Sequence, residues 1–168
     1  MKLVRYGEKG AEKPGLIDKS GQLRDLSAHL KDLTGDAYAP ESLKKLAALD
    51  PASLPAVSGK PRFGAPVTGI SKFVAIGLNY SDHAKETGAA IPTEPIIFMK
   101  ANTSLSGPND AVEKPRGSTK LDWEVEIAAI IGAGFPLEAF KYVTVSVLMC
   151  VLAVVVAGFI VGSGTVDA

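Results

Sequence analysis

The sequence predicts an α+β fold, mainly β: a small N-terminal β-rich domain over residues 1–65, then a second, strand-based unit over 66–168. Three observations carry this. Residues 1–7 and 15–26 read as a strand and a hairpin. Residues 51–69 hold Pro51, Pro55, Gly59, Pro61, Gly64, Pro66 and Gly69, a density of breakers that marks a connector with the domain boundary inside it. Beyond it, 72–78, 94–100 and 120–132 are short apolar runs of strand type.

The totals set the outer bounds. Lys+Arg and Asp+Glu balance at 18 each, so no global charge points to nucleic acid or an acidic partner. With 46% hydrophobic residues the chain can bury a core. Cys150 is the single cysteine, which favours a reducing, cytoplasmic setting, and Met1 to Tyr6 has no apolar run of signal-peptide type.

In the first strand Leu3 alternates with Lys2 and Val4 with Arg5, as in a half-buried strand. Asp18-Lys19-Ser20-Gly21 is a turn cluster between Gly15-Leu16-Ile17 and Gln22-Leu23-Arg24-Asp25-Leu26, which makes a hairpin. Residues 27–33 and 40–49 read as helices, the second opened by Pro40 and closed by Asp50-Pro51. His29 stands alone without a partner motif and reads as structural.

The stretch 120–132 runs Lys-Leu-Asp-Trp-Glu-Val-Glu-Ile-Ala-Ala-Ile-Ile-Gly. As a strand it places Leu121, Trp123, Val125 and Ile127 on one face, and Asp122, Glu124 and Glu126 on the other. Glu124 and Glu126 are then about 6–7 Å apart. Two parallel carboxylates repel, so a hard dication with oxygen ligands is one reading. A sheet face turned to water is the other.

A second cluster follows the strand at 72–78. Asn79 or Ser81 can cap a helix that Gly88 stops, and within it His83 and Glu86 are three apart, on one face. A carboxylate beside an imidazole suits a general base or a water-activating pair. An ordinary surface pair has the same spacing. Lys100 closes the strand at 94–100, either toward an anionic ligand or toward water.

The order of these pieces carries a resemblance. Ile76-Gly77-Leu78-Asn79-Tyr80-Ser81-Asp82-His83-Ala84-Lys85-Glu86 is followed by Pro95-Ile96-Ile97-Phe98-Met99-Lys100, Gly107-Pro108, Pro115-Arg116-Gly117-Ser118 and Asp122-Trp123-Glu124-Val125-Glu126. This resembles the fumarylacetoacetate hydrolase family, in particular its bacterial ureidoglycolate lyase and 2,4-diketo-3-deoxy-sugar-acid hydrolase subgroup, over Met1 to Gly132. The resemblance implies a mixed β-sandwich or β-roll core, incomplete in this chain. It also implies one Mg²⁺ or Mn²⁺ on Glu124 and Glu126, and His83 with Glu86 as the water-activating pair. The implied substrate is a small diketo or oxo acid, cleaved at a C–C bond or turned over through related enolate chemistry. Intact members are expected to be homodimers.

After Gly132 the sequence departs from that pattern. The family's third metal carboxylate, an Asp in an Asn-Asp step, is replaced by Gly162-Ser163-Gly164, and Asp167 is not assigned as a ligand. No charged residue stands between Tyr142 and Val166. Three readings of 143–161 compete: a membrane-spanning helix, two buried strands, or the product of a frameshifted or truncated gene. The third is favoured as to origin. The alternative to an active enzyme is therefore an inactive truncated fragment, membrane-attached through 143–161.

Overall fold

The computed structural model describes residues 1–119, 121, 126–132 and 151–152. Strands β1 (Lys2–Tyr6), β2 (Lys13–Ile17) and β3 (Leu23–Asp25) form an antiparallel sheet in that order, with Lys2 opposite Ile17 and Gly15 opposite Asp25. The β2–β3 turn is built on Asp18. Its Oδ1 accepts the Ser20 and Gln22 amides at 2.9 and 3.0 Å, and its Oδ2 accepts Arg24 Nε at 2.9 Å. The Ser20 hydroxyl and the Arg24 guanidinium hold the Asp18 carboxyl well below the ordinary carboxylate range.

Helix α1 (Pro40–Ala47) forms as expected, with Pro40 in its first turn. The helix expected over 27–33 does not form. The Asp25 carboxylate takes the Ser27 amide at 2.6 Å, and only one turn follows, in which His29 and Leu30 donate to the Leu26 carbonyl. Asp32 is then drawn aside to Arg5. Side-chain bonds of this kind compete with the helical ladder and win here.

The core of this region gathers Leu3, Leu16, Leu26, Leu33, Tyr38, Leu46, Leu54 and Val67, with Leu26 and Leu33 fully buried. Each fully buried leucine contributes about 1.5–3 kcal/mol. The Pro/Gly-rich stretch does not run free. Ala56 bridges to Arg24 and Phe63 to Tyr6, so it lies along the sheet.

One expectation for β1 is overturned. Residues 3 and 5 share a face, and Arg5 is buried with Leu3 rather than turned to water. Burial is tolerated because partners are waiting. Arg5 grips Asp32 at 2.7 and 3.0 Å and reaches Glu12 Oε2 at 3.4 Å. Glu12 Oε1 accepts Arg62 Nη1 at 2.9 Å, and Arg62 clasps Asp110 with two bonds of 2.6 Å. Five charged groups thus join β1, the connector and the loop at 107–110.

The second half contributes β4 (Phe73–Gly77), α2 (Ser81–Glu86) and β5 (Ile96–Lys100). β4 and β5 form an antiparallel ribbon with Phe73 opposite Lys100 and Ala75 opposite Phe98. β6 (Glu126–Ile127) pairs with β7 (Val151–Leu152), Glu126 opposite Leu152. Neither Asn79 nor Ser81 caps α2. Tyr80 holds that position in an extended conformation without a side-chain cap bond, and Gly88 in the left-handed region follows the helix. β7 lies in the middle of 143–161, where a spanning helix was one reading; the rest of that stretch lies outside the described residues. Among the described residues no helix is long and apolar enough to cross a membrane.

Leu105 and Ile130 pack against the N-terminal core. Two glycines set how closely this half approaches. A Cβ at Gly107 would overlap the Phe63 carbonyl oxygen, and one at Gly132 would overlap the Tyr38 carbonyl.

Three outcomes are expected. Arg5→Ala leaves the Asp32 carboxylate without its cation in a partly dry site and lowers unfolding free energy by about 3 kcal/mol in urea titrations. Gly107→Ala costs about 1–3 kcal/mol, read as a lower midpoint in thermal unfolding, because backbone must move. Burial alone would raise the Glu12 and Asp32 carboxyls, but the hydrogen bonds and charges of Arg62 and Arg5 outweigh it and lower both, and Arg62 holds Asp110 at about 2. Groups depressed by folding stabilise above their unfolded value and lose that contribution as pH falls through the folded one. Stability should hold from pH 7 to about 5 and fall from about 4 downward, as followed by circular dichroism.

Candidate active site

The ribbon β4–β5 closes one side of a cavity of about 890 Å³. It is also lined by 126–131, by Pro66, Val67 and 69–72, and by Leu105. The period of two along β4 decides what faces in: Phe73, Ala75 and Gly77 are half-buried, while Val74 and Ile76 are exposed. From β5, Phe98 and Lys100 line the cavity, each opposite an inward residue of β4.

Four ionisable residues line this cavity: Lys72 just before β4, His83 from α2, Lys100 from the end of β5, and Glu126 from β6. Each stands at the end of a strand or just beyond it, because the apolar runs fix the strands and the polar residues fall where the runs stop. Lys100 does not simply leave the sheet for water. Its Nζ lies 5.8 Å from the centre of the Phe98 ring, two residues back on the same face. Asn79, expected as a cap, lines the cavity instead.

The expected residues fare differently. His83 and Glu126 share the cavity. Glu86 is exposed on α2, outside the lining, and no hydrogen bond or ion pair joins it to His83. Glu124 lies outside the described residues, as do Asp122 and Trp123. Among the described residues no three His, Cys, Asp or Glu side chains converge as a metal centre. Glu126 is the one described acidic side chain on the wall, half-buried, which makes it one donor of a hard-cation site and not a complete set.

Two features escaped the sequence reading. Leu78, between β4 and α2, lines the cavity with φ at +47°. Asn102 donates from Nδ2 to the Ile70 and Ser71 carbonyls at 3.0 and 3.2 Å, tying the end of β5 to the approach to β4. Leucine signals no left-handed backbone, so nothing in the sequence marked the first. His29 borders a separate, open groove of about 700 Å³ beside α1, away from these groups.

Several known proteins are similar to this chain. A protein of Burkholderia multivorans (strain ATCC 17616 / 249) assigned as a hydrolase is 56% identical over 133 residues, covering 79% of this chain and 47% of its own length. A hydrolase-assigned protein of Burkholderia orbicola (strain MC0-3) is 55% identical over the same number of residues and the same shares. The chain thus spans about half the length of the curated relatives it matches. Among solved structures, the Mycobacterium smegmatis protein assigned as HpcE superposes with a TM-score of 0.55 at 28% identity, over 76% of this chain and 44% of that one. The fumarylacetoacetate hydrolase of psychrophilic Exiguobacterium antarcticum gives 0.53 at 26% identity, over 76% and 45%. The family described as fumarylacetoacetate (FAA) hydrolase, C-terminal, matches residues 72–166, which extends past Gly132 into the stretch that departs from the expected motifs. That match takes in β4, α2, β5 and β6 with His83, Lys100 and Glu126, and the chain belongs to the fumarylacetoacetate hydrolase family.

Proposed function

We propose that the chain is a metal-dependent hydrolase or lyase acting on a small diketo or oxo acid, with a domain division near residue 65. The observation that carries this reading is the meeting of His83, Lys100 and Glu126 on one cavity with an apolar ribbon as its wall. Glu126 and, two residues earlier, Glu124 would hold Mg²⁺ or Mn²⁺. The ion would supply Lewis acidity to the oxygens of an oxo acid as a C–C bond breaks.

The chain's own residues account for the remaining chemistry. His83 exchanges a proton with water or with the reacting carbon, and Glu86 stands one turn along α2. Lys100 offers a positive charge to a substrate carboxylate. Phe98 and the half-buried face of β4 give the cavity its apolar surface.

A second reading, an inactive remnant of such an enzyme, is favoured by one observation. Val74, Ile76, Ile97 and Met99 are exposed apolar residues of the ribbon, with Met99 56% and Ile97 66% exposed.

The test is thermal unfolding with and without Mg²⁺ or Mn²⁺, followed by turnover of a panel of oxo acids. At ten times its Kd the metal adds about 1.4 kcal/mol. That raises the midpoint by about 3–6 °C in a chain of this size. Glu124→Ala and Glu126→Gln should abolish the rise. His83→Ala should keep it and lower kcat about 10²–10⁴-fold. No metal-dependent rise in the wild-type chain would sink the proposal in favour of the remnant.

A further inference from the structure

Leu78 is the one non-glycine residue with a positive φ among the described residues. The left-handed region presses Cβ toward the next carbonyl, and glycine or asparagine take it at far lower cost than leucine. The turn itself is explained by the chain path. β4 ends at Gly77, α2 begins at Ser81, and only three residues reverse the direction so that His83 returns to the cavity. Glycine would make that reversal without strain. The path therefore accounts for the backbone and leaves the side chain unexplained.

Core packing does not explain it either. Leu78 is half-buried and stands outside the hydrophobic cluster that organises the N-terminal half. What its position does border is the cavity, between Gly77 and Asn79 and on the same wall as His83. The same lining carries the charged Lys72, Lys100 and Glu126, while Phe98 extends its apolar part. A strained residue kept at such a place fits a role in the site rather than in the fold.

We infer that Leu78 is a specificity-determining residue, whose side chain forms the apolar wall beside His83 on which the carbon chain of an oxo-acid ligand packs. This rests on the reading of the cavity as an oxo-acid site. The wall selects by chain length: a ligand whose carbon chain reaches Leu78 gains contact, and a shorter one does not.

The test measures binding, which is independent of turnover. Straight-chain 2-oxo acids from pyruvate to 2-oxohexanoate are titrated calorimetrically, with Mg²⁺ present, into the wild-type chain, Leu78→Gly and Leu78→Asn. Wild-type affinity should rise with chain length. Both variants should bind pyruvate within about twofold of wild type and lose about tenfold on the longest acid, the scale on which apolar pockets discriminate. Both should melt at or above the wild-type temperature, because each relieves the backbone. Equal binding of all acids by wild type and variants overturns the assignment. So does an equal loss on short and long acids, or a lowered melting temperature in both variants, which would mark Leu78 as structural. Length-dependent binding without turnover of any oxo acid overturns the catalytic reading and leaves the wall standing. No binding of any acid by wild type overturns both.

Discussion

The chain of charges from Asp32 through Arg5, Glu12 and Arg62 to Asp110 is the constraint on which the rest of the arrangement depends. Hydrophobic burial brings the two halves together but is non-directional. The ion pairs supply direction. Each guanidinium holds a terminal aspartate with two bonds, and Glu12 is shared between them, one oxygen to each. The Asp32–Arg5 and Arg62–Asp110 pairs span 27 and 48 residues of sequence. No member has its partners unless β1, the connector and the 107–110 loop stand in register at once. Such networks add little net stability over an apolar core, and their value is in selecting one arrangement.

That arrangement decides where the cavity can be. Leu105, just before the clasped loop, and Ile130, just after β6, both pack on the N-terminal core and both line the cavity. The N-terminal half therefore supports the lining from behind Leu105 and Ile130, although it contributes none of the ionisable groups. His83, Lys100 and Glu126 come from three separate elements, and their convergence follows from how those elements are docked.

Much of the fold was legible because its signals are local. The Asp18 turn, Pro40, Gly88 and the apolar runs at 73–77 and 96–100 each announce their element through chemistry within a few residues. The failures are where a distant partner decides. Residues 27–33 have helical spacing, yet Asp25 and the remote Arg5 take the polar groups that a helix would leave alone. Arg5 itself reads as a solvent-facing residue until Asp32 and Glu12 are known to lie beside it. In the site, His83 and Glu126 were readable from the order of motifs. Lys100 was ambiguous, since a lysine at a strand end looks the same whether it faces water or a cavity. Leu78 carried no signal, because its role lies in a backbone angle that its residue type disfavours.

The close approach of Gly132 to the Tyr38 carbonyl has a consequence for how this cavity tolerates change. The segment behind β6 rests on main chain, not on a side chain, at that point. A side chain added at 132 would therefore push against a peptide unit that cannot rotate away, whatever residue stands at 38.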